Sequence, residues 1–196
     1  MLDRKQERES LCLDAPNADP RLPVPYEEHH CKIKNGDLVF LGGAKSMFSW
    51  LISAVTRSVF SHVGIACWMR DTQDGKPELF IIEASPGGRR IISMDAYGLR
   101  RPMTVVGAPV AWTEYRDALL ADTGHVPYGY MDLIGIGLKE TLRIKTKDFD
   151  GEVCSEMVAR ALSAHGFKLD ALQSPGSLYK ALLERGCKIK LVTSPK

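Results

Sequence analysis

Two apolar runs constrain the fold more than any other feature of this chain. Ser61-His62-Val63-Gly64-Ile65-Ala66-Cys67-Trp68-Met69 and Glu78-Leu79-Phe80-Ile81-Ile82-Glu83-Ala84 flank a segment, Arg70 to Pro77, that is rich in Asp, Gly and Pro. Runs of this kind, bounded by turn residues, are β-strands, and a short connection makes them pair antiparallel. Register then matters, because a slip of one residue turns every side chain to the other face. A loop centred between Gln73 and Asp74 sets His62 opposite Ser85 and Gly64 opposite Glu83. Glu83 becomes a diagonal neighbour of His62, ~7–8 Å away, a gap that long side chains span. The residue between them, Gly64, has no side chain to obstruct the approach.

The rest of the chain adds strands first and helices later. Asn35-Gly36-Asp37 is a turn signal before the short apolar strand Leu38–Leu41, which ends at Gly42-Gly43. Arg89–Met94 and Met103–Val106 extend the β pattern and predict a meander. Between these, Met47, Trp50, Leu51, Ala54 and Val55 recur at helical spacing. That stripe is read as a core helix, with an apolar cleft wall or a lipid-facing surface as the functional alternative.

Thr113–Asp122 predicts a helix with a threonine cap, and Gly124–Tyr130 a loop. Met131–Leu142 is apolar but interrupted by Gly135 and Gly137. Val153–His165 predicts a helix with Met157, Val158, Ala161 and Leu162 on one face and Gly166 as its stop. Pro175 opens a last helix, and Cys187–Val192 alternates like a final strand. The order gives an α+β domain over residues 35–196. Residues 1–34 are polar, carry Pro16, Pro20, Pro23 and Pro25, and read as a loosely docked arm outside the core.

Composition excludes several classes. The 196 residues carry a net charge of only +2, too little excess for a broad nucleic-acid binder. Five dispersed cysteines without a CxxC pair predict neither a disulfide framework nor a zinc ribbon, and fit a reducing compartment. His29-His30-Cys31 reads as a polar loop end, so no metal and no cofactor is expected. The charged N-terminus lacks an apolar leader, and no run approaches the ~18 residues of a membrane span. A cytoplasmic protein is the expectation.

Cys154 falls in the first turn of its helix, where unpaired N–H groups and a partial positive charge favour a thiolate over a thiol. Nucleophilic chemistry also needs a base and a group to orient it. Of the five histidines, His29 and His30 lie in the arm, and His165 ends the same helix as Cys154, too far along it to touch the thiol. His125, in a turn-rich loop, and His62 remain. His62 has the small neighbours Ser61 and Gly64, and Glu83 within diagonal reach. Singly, each of these is an ordinary packing residue; their joint placement is what points to a site.

Gly36-Asp37-Leu38-Val39-Phe40, Ser61-His62-Val63-Gly64-Ile65, Glu83-Ala84, Tyr128, Cys154-Ser155-Glu156 and Ser174-Pro175-Gly176-Ser177-Leu178 resemble the circularly permuted NlpC-like papain-fold cysteine hydrolases, in their YiiX/YaeF-like branch. The resemblance spans about residues 35–180. The histidine precedes the cysteine, as in the permuted branch. The resemblance implies a papain-like core in which the cysteine helix packs on a small antiparallel sheet. It implies Cys154 as nucleophile, His62 as general base and then acid, and Glu83 as orienter. Tyr128 and Ser155 are the expected contributors near the oxyanion or substrate.

The expected reaction is amide hydrolysis through a thioester on Cys154, with a peptide or cell-wall peptide as substrate. An acyltransferase or lipid hydrolase using the same residues is the first alternative, with an acyl-lipid substrate and peripheral lipid contact through Met47–Val55. A catalytically silent binding protein of the same fold is the second.

Overall fold

Leu38–Gly42 (β2) is buried along its whole length, so it must be covered on both faces and on both edges. A computed structural model of the chain, which describes residues 23–25, 29–43, 58–70, 77–85, 88–98, 100–113, 153–170 and 173–194, shows how. Phe60–Arg70 (β3) pairs antiparallel with one edge of β2, and Met103–Val106 (β6) with the other. Pro77–Ser85 (β4) and Gly88–Ser93 (β5) extend the sheet beyond β3, and Ile189–Ser194 (β7) extends it beyond β6. Pro23–Pro25 (β1) joins β7 in parallel. The seven strands run β1-β7-β6-β2-β3-β4-β5.

Each face of the sheet holds its own core. On one, Leu38, Phe40, Val63, Ile65, Ile82 and Ala84 meet Cys154, Met157, Val158 and Leu162 of the helix Cys154–Ala164 (α2). The helix Pro175–Glu184 (α3) docks beside it, its Tyr179 ring 5.3 Å from Phe40 and 4.8 Å from Phe60. The other face buries Val39, Leu41, Ala66, Ile81, Met103 and Val105. A short helix, Asp95–Gly98 (α1), lies on that side and contributes Tyr97. The fold is α+β.

The helix ends follow from local chemistry. Gly166 and Gly186 adopt φ of 90° and 88°, the left-handed conformation that stops a helix without a Cβ penalty. Ser174 caps α3, its hydroxyl accepting from the Ser177 N–H at 3.1 Å, with Pro175 in the first turn.

The hairpin register is the one a loop centred between Gln73 and Asp74 requires. Ile65 pairs with Ile82, and the ladder continues in step to Arg70 and Pro77. Gly64 is needed at the end of that ladder. A Cβ there would stand 2.5 Å from the Ile81 side chain and 2.8 Å from the Ile82 carbonyl oxygen.

Three expectations change. The meander stops at β5, because β6 returns to the far side of β2. Arg101 secures that return by donating to the Gly42 and Gly43 carbonyls, and Gly42 N–H donates to Pro102 O at 2.9 Å. Pro23–Pro25, expected in a loose arm, is an edge strand, a place where proline's missing N–H costs no ladder bond. Cys31 is disulfide-bonded, while Cys67, Cys154 and Cys187 are free thiols. The final strand begins at Ile189, two residues later than Cys187. The predicted helices over Met47–Val55 and Met131–Leu142 lie outside the described residues, as do Tyr128 and His125. Among the described residues no helix is long and apolar enough to cross a membrane.

Candidate functional site

The ladder between β3 and β4 ends at Ile65 and Ile82. His62, Glu83 and Ser85 lie just beyond it. At this end of the hairpin, Cys154 arrives from the helix-covered face and Tyr97 from the opposite layer. Side chains from both sides of the sheet therefore share one cluster.

Glu83 is its centre and is wholly buried. The His62 Nε2–H donates to Glu83 Oε2 at 2.6 Å. Glu83 Oε1 accepts from Arg90 Nε at 2.8 Å and from the Tyr97 hydroxyl at 2.9 Å. Arg90 also donates to the Tyr97 oxygen at 3.2 Å. A buried carboxylate is costly unless its lone pairs are filled by donors, at least one of them charged. Here both oxygens are filled. Burial pushes the Glu83 carboxyl up, but the charges and hydrogen bonds of His62 and Arg90 outweigh it and hold the group below its ordinary value. Burial and the neighbouring Glu83 charge push the Tyr97 hydroxyl up to about 12, so it stays a donor.

His62 uses one ring nitrogen on Glu83, and the Cys154 side chain lies close enough to act on the ring's charge. Burial by itself would lower its pKa. The charges of Cys154 and Glu83 act the other way and prevail, holding the imidazole at about 10. The ring stands between the Cys154 side chain and the Glu83 carboxylate. Its side chain is 15% exposed.

The backbone places Cys154 at the head of α2. Val153 is the extended cap residue, and the helical ladder begins with Met157 N–H donating to Val153 O at 2.9 Å. The Cys154 N–H precedes that ladder and has no intrahelical acceptor. Ser155, its neighbour, is 1% exposed and donates to Gln173 O at 2.6 Å. That bond ties the head of α2 to the segment before α3.

Cys154, His62 and Glu83, brought into view by the sequence, stand together here. Three further residues escaped it. Arg90 pairs directly with Glu83 across the β4–β5 hairpin. The β4–β5 register, with Ser85 opposite Gly88, is what sets Glu83 opposite Arg90. A short helix and an irregular return bring in Tyr97 and Arg101. The Arg101 guanidinium donates to Gly42 O at 2.9 Å, Gly43 O at 2.5 Å and Ser61 Oγ at 2.7 Å. Its centre lies 5.8 Å from the Tyr97 ring. Burial draws it below its ordinary pKa, against the charges of Tyr97, Glu83 and Cys154. Among the described residues no group of three or more His, Cys, Asp or Glu is placed to hold a metal ion.

No protein-family model matches the chain, and no curated protein matches it. Among solved structures, the metalloprotein yiiX from Escherichia coli O157:H7 is similar at a TM-score of 0.48 and 15% identity, over 84% of this chain and 89% of that one. The likeness is weak, and the chemistry of the site rests on its own geometry.

Proposed function

We propose that the protein is a cysteine hydrolase of permuted papain-like architecture that cleaves an amide bond through a thioester on Cys154. One observation carries the reading: the 2.6 Å His62–Glu83 hydrogen bond, with the Cys154 side chain close enough to His62 to raise its pKa together with Glu83. An imidazolium beside a cysteine sulfur is the arrangement that favours nucleophilic attack. Glu83, buried and saturated with donors, fixes the ring and balances its charge. The catalytic unit is residues 35–196, to which Pro23–Pro25 of the 1–34 arm adds an edge strand.

The reaction then runs in two halves. The Cys154 sulfur attacks the substrate carbonyl, and the new oxyanion accepts from the Cys154 N–H at the head of α2. Such a donor is commonly worth about 3–4 kcal/mol in the transition state. His62 gives its proton to the departing amine, and the C–N bond breaks to leave a thioester. Neutral His62 takes a proton from water, the hydroxide attacks the thioester, and the acid leaves as the Cys154 thiolate re-forms.

Cys154→Ser and His62→Ala are expected to lose amide hydrolysis by at least about a hundredfold while keeping the wild-type circular dichroism. A His62→Ala protein with full activity would remove the assignment. Limiting thiol reagent is expected to label Cys154 ahead of Cys187 below pH 7, and to lose that preference in His62→Ala. Equal labelling of the two would instead indicate a silent protein of this fold.

A further inference from the structure

Among the described residues, Arg101 is a buried cation without a counter-anion. It is 8% exposed, and its three hydrogen bonds go to neutral acceptors: two carbonyls and the Ser61 hydroxyl. Among the described residues no carboxylate pairs with it, and its Nη1 finds no acceptor. A desolvated guanidinium is ordinarily matched by an anion. The nearby anion, Glu83, is already saturated by His62, Arg90 and Tyr97.

Its position gives the vacancy a meaning. Ser61, which Arg101 holds, precedes His62 in β3. Tyr97, which Arg101 overlies, stands 6.3 Å from the His62 ring, centre to centre. Arg101 therefore sits within the same cluster as the reacting groups, and its charge is felt at Cys154.

We infer that Arg101 receives a carboxylate of the substrate beside the scissile bond. The substrate class is then a peptide-like amide with a free carboxylate next to the bond that is cut. This rests on the hydrolase reading. A carboxylate fits better than a phosphate. Arg101 has one nitrogen left to give, and the neighbouring cations His62 and Arg90 are both bound to Glu83. A dianion would call for more donors than remain.

Iodoacetate and iodoacetamide differ by a carboxylate and test this without knowledge of the substrate. Their labelling rates are read at Cys154 and, in the same full-length protein, at Cys187. The iodoacetate-to-iodoacetamide ratio is expected to be at least about tenfold higher at Cys154 than at Cys187, and to fall to the Cys187 value in Arg101→Gln. Equal ratios at the two cysteines would overturn the inference. So would a ratio unchanged by the substitution, or a loss of rate that is the same for both reagents.

If Arg101→Gln does not fold, wild-type protein serves. N-acetylglycine is expected to slow iodoacetamide labelling of Cys154, and N-acetylglycinamide at the same concentration is not. Equal protection by the two compounds, or by inorganic phosphate, would overturn the carboxylate assignment. Absent hydrolysis with the iodoacetate preference intact removes the hydrolase reading alone. Hydrolysis without the preference removes this inference alone.

Discussion

Glu83 and Arg101 are both buried charges of one cluster, yet the chain treats them oppositely. Glu83 is met by an imidazolium, a guanidinium and a phenol. Arg101 is met by carbonyls and a hydroxyl. A charge completed from within the chain serves to hold other groups still. A charge left incomplete is suited to something that arrives. On the proposed reading, the difference separates a positioning residue from a recognition residue inside a single site.

The comparison is broken most directly by removing each charge in turn. Glu83→Ala leaves His62 and Arg90 without their anion and is expected to lower stability by about 3–5 kcal/mol, read by urea unfolding. Arg101→Met removes a cation that no carboxylate among the described residues balances, and is expected to cost less than half as much. Equal losses would mean that Arg101 is as structurally committed as Glu83.

Gly64→Ala tests the approach that brings the two strands' side chains together. The added methyl meets both a side chain and a backbone oxygen. A loss of about 1–3 kcal/mol is expected in the same unfolding measurement. A neutral result would show that the strands part more readily than their packing implies.

The pH dependence of stability sharpens the Glu83 side. His62 is held at about 10 against an ordinary 6.5, so the folded state binds its proton more tightly. That contribution is complete below 6.5 and fades as pH rises toward 10. Glu83 is held below its ordinary 4.5, so its contribution is complete above 4.5 and fades on acidification. Urea midpoints are expected to be highest between these limits, and the alkaline decline is expected to vanish in His62→Ala.

The smallest effects belong to the outer donors. Tyr97→Phe removes one hydrogen bond and is expected to cost about 1 kcal/mol. Arg90 is half-exposed, and Arg90→Gln is expected to cost less than about 1 kcal/mol. A larger loss at Arg90 than at Tyr97 would reverse the order in which Glu83 depends on them.

The sequence alone determined what period and local turn chemistry encode. The hairpin register followed from the position of its loop, and with it the closeness of His62 and Glu83. The Cys154 helix followed from its apolar face and from Gly166. Such signals are local, since each needs only a few neighbouring residues to act. The tertiary structure decided the rest. It moved β6 across to β2, drew Pro23–Pro25 onto β7, and carried Tyr97 and Arg101 to the cluster. Those placements depend on contacts between residues far apart in the chain, such as Arg101 with Gly42 and Gly43. No periodicity records which distant carbonyl a buried guanidinium will find. Packing settles it, because the desolvated donors of Arg101 must be answered wherever the folded chain presents acceptors.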